Sequence, residues 1–281
     1  MNKMRIGVVS RPDKEQAAEV VGKVVRFLES KGVETIVETD TALMMDSPVE
    51  NTDLGRIDAD FMVTIGGDGT ILRTAMLLND PGIPILGVNM GSRGFLTEVY
   101  PDEVEAALEH MLMGDYGVEE CIKVASKSLD TDATYPDALN EILISSSMPS
   151  KMLDMRLSID GVHIMDIQAD GAMVATPTGS TAYNLSAGGP IVKPGVEAMI
   201  LTTICPYSYF RSVVVPTDSR ITVELIKPRA EGIVIADGRE YAPIKPLSTV
   251  EIWKSEHTTR FVRFKPFYER LERRLIFRKV R

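Results

Sequence analysis

One stretch constrains this chain more than any other. The apolar run Phe61-Met62-Val63-Thr64-Ile65 leads directly into Gly66-Gly67-Asp68-Gly69-Thr70, and then into Ile71, Leu72, Ala75, Met76 and Leu78. Those last five residues are spaced for one buried helical face, so the stretch predicts strand, tight glycine turn, helix. Glycines at 66, 67 and 69 are expected to take dihedrals barred to other residues and to let a bulky anion approach the main chain without meeting a Cβ. The helix start offers unpaired N–H groups and a partial positive charge, which makes phosphate its natural guest. Asp68 is the odd residue there, because a carboxylate repels phosphate. It is ordinary as a helix cap, and otherwise makes sense as a base on an incoming hydroxyl or as part of a Mg²⁺ site.

A chain of 281 residues has room for one large or two ordinary domains. Lys and Arg total 31 against 40 for Asp and Glu, a formal charge of -9, which argues against a nucleic-acid footprint and for small-molecule work. No run approaches membrane-spanning length. Cys121 and Cys205 form no disulfide framework, and no Cys or His pair among these and His110, His163 and His257 has zinc-ligand spacing. The apolar part of the first nine residues is too short for a signal peptide, so a reducing cytoplasm is expected.

Arg5 to Ser10 reads as a first strand, and Asp13 as the cap of a helix with Ala17, Val21, Val24, Val25 and Leu28 as its buried stripe and Gly32 as its stop. Strands are expected at 33–37, 60–65 and 83–88, and a helix over 101–113. Such alternation predicts a parallel, doubly wound sheet whose ligands bind beyond the carboxyl ends of its strands. A second glycine turn, 89–97, would lie beside the first. Its Phe95 is either core or cover for a nucleotide base or ribose. Short β-prone runs follow at 141–146, 152–159, 162–167, 172–175, 200–204, 212–215, 221–226, 232–236 and 249–253, with Asp160-Gly161 as a hairpin signal. The expected fold is α/β: an N-terminal doubly wound parallel-sheet domain, 1–117, and a larger antiparallel all-β domain, 118–281. The basic tail 266–281, with Leu271, Leu275 and Ile276 on one face, is expected to be helical and to dock back on the protein.

Two further stretches bear on function. Asn140-Glu141, at a strand start, supplies donors and acceptors suited to ribose hydroxyls and an adenine edge, although turn residues would look the same. From Asp170 to Pro190, hydroxyls at Thr176, Thr178, Ser180, Thr181 and Ser186 are packed among glycines directly after a strand. That density suits a polar ligand needing many short hydrogen bonds; a structural Ser/Thr-rich turn is the alternative.

Taken in this order and at this separation, Gly66 to Thr70, the 89–97 turn, Asn140-Glu141 and the 176–190 block resemble the NAD kinase family, over nearly the whole chain. The first motif is shared with diacylglycerol and sphingosine kinases and loosely with phosphofructokinases; the Thr-Pro-Thr-Gly-Ser-Thr-Ala-Tyr block is specific to NAD kinases. A lipid kinase would need an apolar acceptor channel, and a silent NAD(P)-binding regulator would gain nothing from Asp68. The resemblance implies transfer of the γ-phosphoryl of ATP, or of inorganic polyphosphate, to the 2′-hydroxyl of the adenosine ribose of NAD, with Mg²⁺ or another divalent cation. It implies Asp68 as proton acceptor, and Gly66, Gly67, Gly69 and Thr70 around the phosphates. Arg73 would neutralise phosphate charge, and Phe95 would pack near the NAD adenosine. Asn140 and Glu141 would hold the adenosine, and Thr178, Thr181, Ala182, Tyr183, Asn184 and Ser186 the adenine and ribose. Asp170 would reach the nicotinamide end of an NAD bound mainly by a neighbouring subunit, which implies a homodimer or homotetramer. Arg93 and Arg239 stand where the family often has leucine and glutamine, and the longer segment 145–151 leaves Lys151 without a settled counterpart.

Overall fold

The computed structural model describes the chain apart from residues 1–2, 12–14, 46–48, 92–93, 149, 229–230 and 276–281, and apart from the side chains of 15 and 273–275. Asp13, Arg93, Ile276 and the Leu275 side chain therefore lie outside the described residues. The chain forms two compact units, Met1–Glu120 with Thr259–Arg281, and Cys121–Thr258.

The first unit carries β1 (Arg5–Ser10), α1 (Glu15–Ser30), β2 (Glu34–Glu38), α2 (Thr39–Ala42), β3 (Asn51–Thr52), β4 (Phe61–Gly66), α3 (Asp68–Leu77), β5 (Ile85–Asn89) and α4 (Val104–Leu112). The α1 stripe of Ala17, Val21, Val24, Val25 and Leu28 is buried, as its spacing requires. The helix stops at Gly32, which sits at φ +73° while Val33 N–H bonds Leu28 C=O at 3.0 Å and Gly32 N–H bonds Glu29 C=O at 2.9 Å. That pair of bonds is a left-handed glycine cap. Strands β1 to β5 pair in parallel in the order β3-β2-β1-β4-β5. This is a doubly wound order whose direction reverses between β1 and β4, and ligands bind at the strand ends beside such a reversal. The Gly66 to Thr70 turn lies there. Ile6, Val8, Val63, Ile65, Leu86 and Val88 of the sheet form a buried core with Val24 and Leu28 of α1 and Val104 and Leu108 of α4.

The second unit is antiparallel. Strand β6 (Gly117–Ser128) leads into β7 (Thr134–Ala138), β8 (Glu141–Ser146), β9 (Leu153–Ile159), β10 (Val162–Ala169) and β11 (Gly171–Ala175). After the short helix α5 (Tyr183–Ser186) come β12 (Ala198–Ile204), β13 (Ser212–Pro216), β14 (Ile221–Leu225), β15 (Gly232–Ala236), β16 (Glu240–Ile244) and β17 (Thr249–Arg263), and the helix α6 (Phe267–Leu275) closes the described chain. One sheet runs β13-β12-β11-β8-β15-β16, with β11 and β12 buried along their whole length. Strands β9, β14 and β17 pair in turn in another, where alternate residues of β9 and β14 are buried. Asp160 and Gly161 both have positive φ, as the Asp-Gly hairpin between β9 and β10 demands.

Two boundaries differ from the sequence reading, the first by three residues, since the units divide after Glu120 instead of after 117. The second unit ends at Thr258 instead of continuing to 281. The physical reason is β17, which is 15 residues long instead of stopping at Trp253, and whose Phe261 pairs in parallel with Ile85 of β5. The tail from Thr259 onward thus belongs to the first unit. Strands β6, β7 and β16 are also additions. Pro136 and Pro243 sit in β7 and β16, each of which pairs with a single neighbour, the place where a missing N–H is tolerated. Among the described residues no helix is long and apolar enough to cross a membrane.

Candidate active site

In the first unit the two glycine turns are joined through Asp68. Phe95 N–H donates to Asp68 Oδ2 at 2.8 Å and Leu96 N–H to Asp68 Oδ1 at 3.0 Å. Met90 N–H closes onto Gly66 C=O at 2.6 Å. A Cβ on Gly94 would lie 2.5 Å from Thr97 Oγ1 and 3.1 Å from Asp68 Oδ1, so only glycine lets the second turn wrap the carboxylate this closely. Each Asp68 oxygen receives one N–H and keeps a further lone pair, which suits an oriented acceptor.

Dihedral freedom is not what these glycines supply, and only at Gly66 does space demand one. None of Gly66, Gly67 and Gly69 is among the positive-φ residues, and Gly67 is extended at φ -136°. A Cβ on Gly66 would run into Thr70 Oγ1, whereas one on Gly67 would meet nothing within 4 Å. Gly67 caps α3 with open space beside it, and Gly69 is exposed in the first helical turn. Thr70 is buried. Arg73, read as a phosphate neutraliser, pairs with buried Glu38, and lies 3.6 Å from Asp40. Glu38 also accepts Thr41 Oγ1–H at 2.8 Å, and Thr41 Oγ1 accepts Ser10 N–H at 2.8 Å, so this chain of bonds ties α3 to the ends of β1 and β2. Phe95 is half-buried.

In the second unit Asn140 and Glu141 sit under the 176–190 loop. Thr176 N–H donates to Asn140 C=O at 2.8 Å, and Thr176 Oγ1–H to Leu139 C=O at 2.6 Å. A Cβ on Gly179 would run into the Asn140 backbone. Asp237 holds the pair from below, accepting the N–H groups of Leu139 at 2.8 Å, Asn140 at 2.6 Å and Glu141 at 3.2 Å. Glu141 is itself buried, with Oε2 lacking a hydrogen-bond partner among the described residues. Burial first, and the Asp237 charge second, push its carboxyl up to about 8, so near neutrality it carries a proton. Burial also raises Asp237, against its three N–H donors and Lys123.

Much of the hydroxyl density in the loop is committed internally. Ser180 Oγ–H reaches Pro177 C=O, Val192 N–H donates to Ser180 Oγ, and Thr181 Oγ1–H reaches Thr178 C=O. Asn184, fully buried, gives its amide N–H groups to Ser180 and Pro190 C=O at 3.1 Å each and accepts Thr202 Oγ1–H at 2.6 Å. Its side chain therefore shapes the loop. Thr178 is buried, Thr181 and Ala182 are half-buried, and Tyr183 and Ser186 are exposed. Partial burial raises the Tyr183 phenol, helped by the charges of Cys205, Asp170 and Glu141. Asp170 is exposed between β10 and β11. The sequence reading missed Asp237. The Asp237-Gly238 turn is legible as a hairpin, with φ +50° and +65°, but a carboxylate serving amides 96 to 98 positions away is not.

Comparison with known proteins agrees along the length of the chain. Residues 6–116 match the model of the ATP-NAD kinase N-terminal domain, and residues 139–264 that of the ATP-NAD kinase C-terminal domain. The NAD kinase of Methanothermobacter thermautotrophicus is 43% identical over 97% of this chain and 96% of its own. That of Thermococcus kodakarensis is 40% identical over 93% of this chain and 94% of its own. A crystal structure of an NAD kinase from Archaeoglobus fulgidus in complex with ATP superposes with a TM-score of 0.79 at 33% identity, covering 95% of this chain and 97% of the other. Yeast NADH kinase complexed with NADH shares the fold, with a TM-score of 0.88 at 22% identity over 99% of this chain and 89% of the other. With both domain models matched and full-length relatives at this identity, the chain belongs to the NAD kinase family.

Proposed function

We propose that this NAD kinase transfers the γ-phosphoryl of ATP to the 2′-hydroxyl of the adenosine ribose of NAD, with Asp68 accepting the hydroxyl proton. The observation that carries the assignment is the Asp68 carboxylate itself, set at the reversal of the parallel sheet and aimed by the Phe95 and Leu96 amides. A base must be fixed within hydrogen-bond reach of the proton it takes, and two N–H donors fix this one. Gly67, Gly69 and the α3 N-terminus would receive phosphate oxygens beside Gly66 and Thr70. ATP as donor is supported by the ATP complex of the Archaeoglobus fulgidus relative. Polyphosphate would reach the same cradle.

Asn140 and protonated Glu141 would read the adenosine, the latter through the Oε2 that has no partner among the described residues. Thr178, Thr181, Ala182, Tyr183 and Ser186 would contact adenine and ribose, with Asn184 holding their loop. Arg73 would act by anchoring α3 through Glu38. Asp170, exposed on its own chain, would serve an NAD in a neighbouring copy of a homodimer or homotetramer. Among the described residues no three His, Cys, Asp or Glu side chains gather as a metal site. Mg²⁺ would enter as part of the nucleotide substrate, on phosphate oxygens. A cytoplasmic setting fits this chemistry.

The test is Asp68→Asn, which keeps the shape and removes the base. NADP formation should fall by about 10²- to 10⁴-fold while NAD affinity stays within about an order of magnitude. Parental turnover in this variant would remove the assignment.

A further inference from the structure

Behind the turn that holds Asp68, four charged side chains close a ring, three of them buried and Glu119 partly so. Arg263 Nε–H donates to Glu119 Oε2 at 2.8 Å, and its Nη1 lies 3.2 Å from Glu98 Oε2. Arg270 Nη2 donates to both Glu119 oxygens, at 2.6 and 2.9 Å, and Arg270 Nη1 lies 3.6 Å from Glu98. The side chains of Glu98, Arg263 and Arg270 are 0%, 8% and 6% exposed. Burial works to raise the Glu119 carboxyl, but the two guanidiniums outweigh it and hold the group below its ordinary value. Two charges of each sign balance, which is the condition for burying them at all.

The ring is attached to the Asp68 turn at two points. Arg263 Nη1–H also donates to Leu96 C=O at 2.8 Å. Glu98, two residues on, accepts Phe264 and Lys265 N–H at 2.9 and 3.0 Å through Oε1, so the end of β17 and the turn grip each other. Leu96 is thus held on one side by the guanidinium at its C=O and on the other by Asp68 at its N–H.

We propose that Arg263 is a positioning residue for Asp68, acting through Leu96 and locked by Glu98, Glu119 and the α6 residue Arg270. The inference rests on Asp68 being the proton acceptor. An arginine is needed because one planar fork must meet a carbonyl and two carboxylates at once; the point charge of a lysine cannot do so. The C-terminal helix is thereby part of the catalytic support.

Arg263→Lys keeps the charge and loses the fork. With rates normalised to folded protein, kcat should fall by about tenfold or more while KM for ATP and for NAD stays within about twofold, since only the aim of the base changes. Hydrogen exchange at the Phe95 and Leu96 amides should accelerate by about tenfold while the β5 amides keep the parental rate. Unchanged exchange at those two amides, an unchanged kcat, or acceleration spread evenly over the unit would each overturn the proposal. Should Arg263→Lys fail to fold, Glu119→Gln reads the same pair of quantities, with about a threefold fall in kcat expected and parental values overturning the proposal. Asp68→Asn run alongside separates the two claims. If it retains parental turnover the base assignment fails; if it is inactive while Arg263→Lys matches the parent, only the positioning role fails.

Discussion

Asp68 and Glu141 are carboxylates put to opposite uses by their surroundings. Asp68 is half-buried and receives two amide protons, which orient an acceptor. Glu141 is buried beside Asp237, and one of its oxygens finds no partner among the described residues. Its carboxyl is raised in the folded protein, so its contribution to stability is full below its ordinary value of 4.5 and is lost as pH rises through about 8. Glu141→Gln should flatten that decline, by roughly a few kcal/mol across the interval, in thermal melts taken from acid to mildly alkaline pH. Parallel curves for variant and parent would contradict the burial account. Each of these residues stood out in the sequence as a polar group at a strand end. What each is bonded to was not legible, because Asp68 meets amides 27 and 28 positions away and the Glu141 neighbour Asp237 lies 96 positions on.

At the scale of elements, the parallel sheet was legible because β1, β2, β4 and β5 are short apolar runs separated by patterned helices or glycine turns. Strand β6 escaped because Glu119, Glu120, Lys123 and Lys127 read as loop, yet Arg263 and Arg260 pair with the first two of them. The second half of β17, Ser255 to Arg263, escaped for the same reason: charged side chains matched across strands hide an extended segment from a reading by hydrophobicity. The same scale decides how the 176–190 loop works. Gly179 rests on the Asn140 backbone, so Gly179→Ala must lift the loop from the strand it serves. The expected cost is about 1–3 kcal/mol in a melt, with KM for NAD rising by about tenfold or more and kcat less affected. An unchanged KM would show that the loop's seat on Asn140 is irrelevant to binding. Ser180, Thr181 and Asn184 bond within the loop, because small polar side chains satisfy the backbone of a tight turn first.

For the whole molecule, the proposal that Asp170 serves a neighbouring copy has a direct consequence. Asp170→Ala and Asp68→Asn chains, each inactive as a homo-oligomer, should regain NADP formation when dissociated and reassembled together, because a mixed pair contains a site with both carboxylates intact. Failure to regain any activity in verified mixed oligomers would put Asp170 in its own chain's site or in none. The central claim concerns one distance. A crystal structure of the enzyme with NAD and a non-hydrolysable ATP analogue should place an Asp68 oxygen about 2.6–3.2 Å from the adenosine ribose 2′-hydroxyl, with the Phe95 and Leu96 amides still on the carboxylate. A complex in which that hydroxyl is bound elsewhere, with Asp68 turned away from it, would contradict the account.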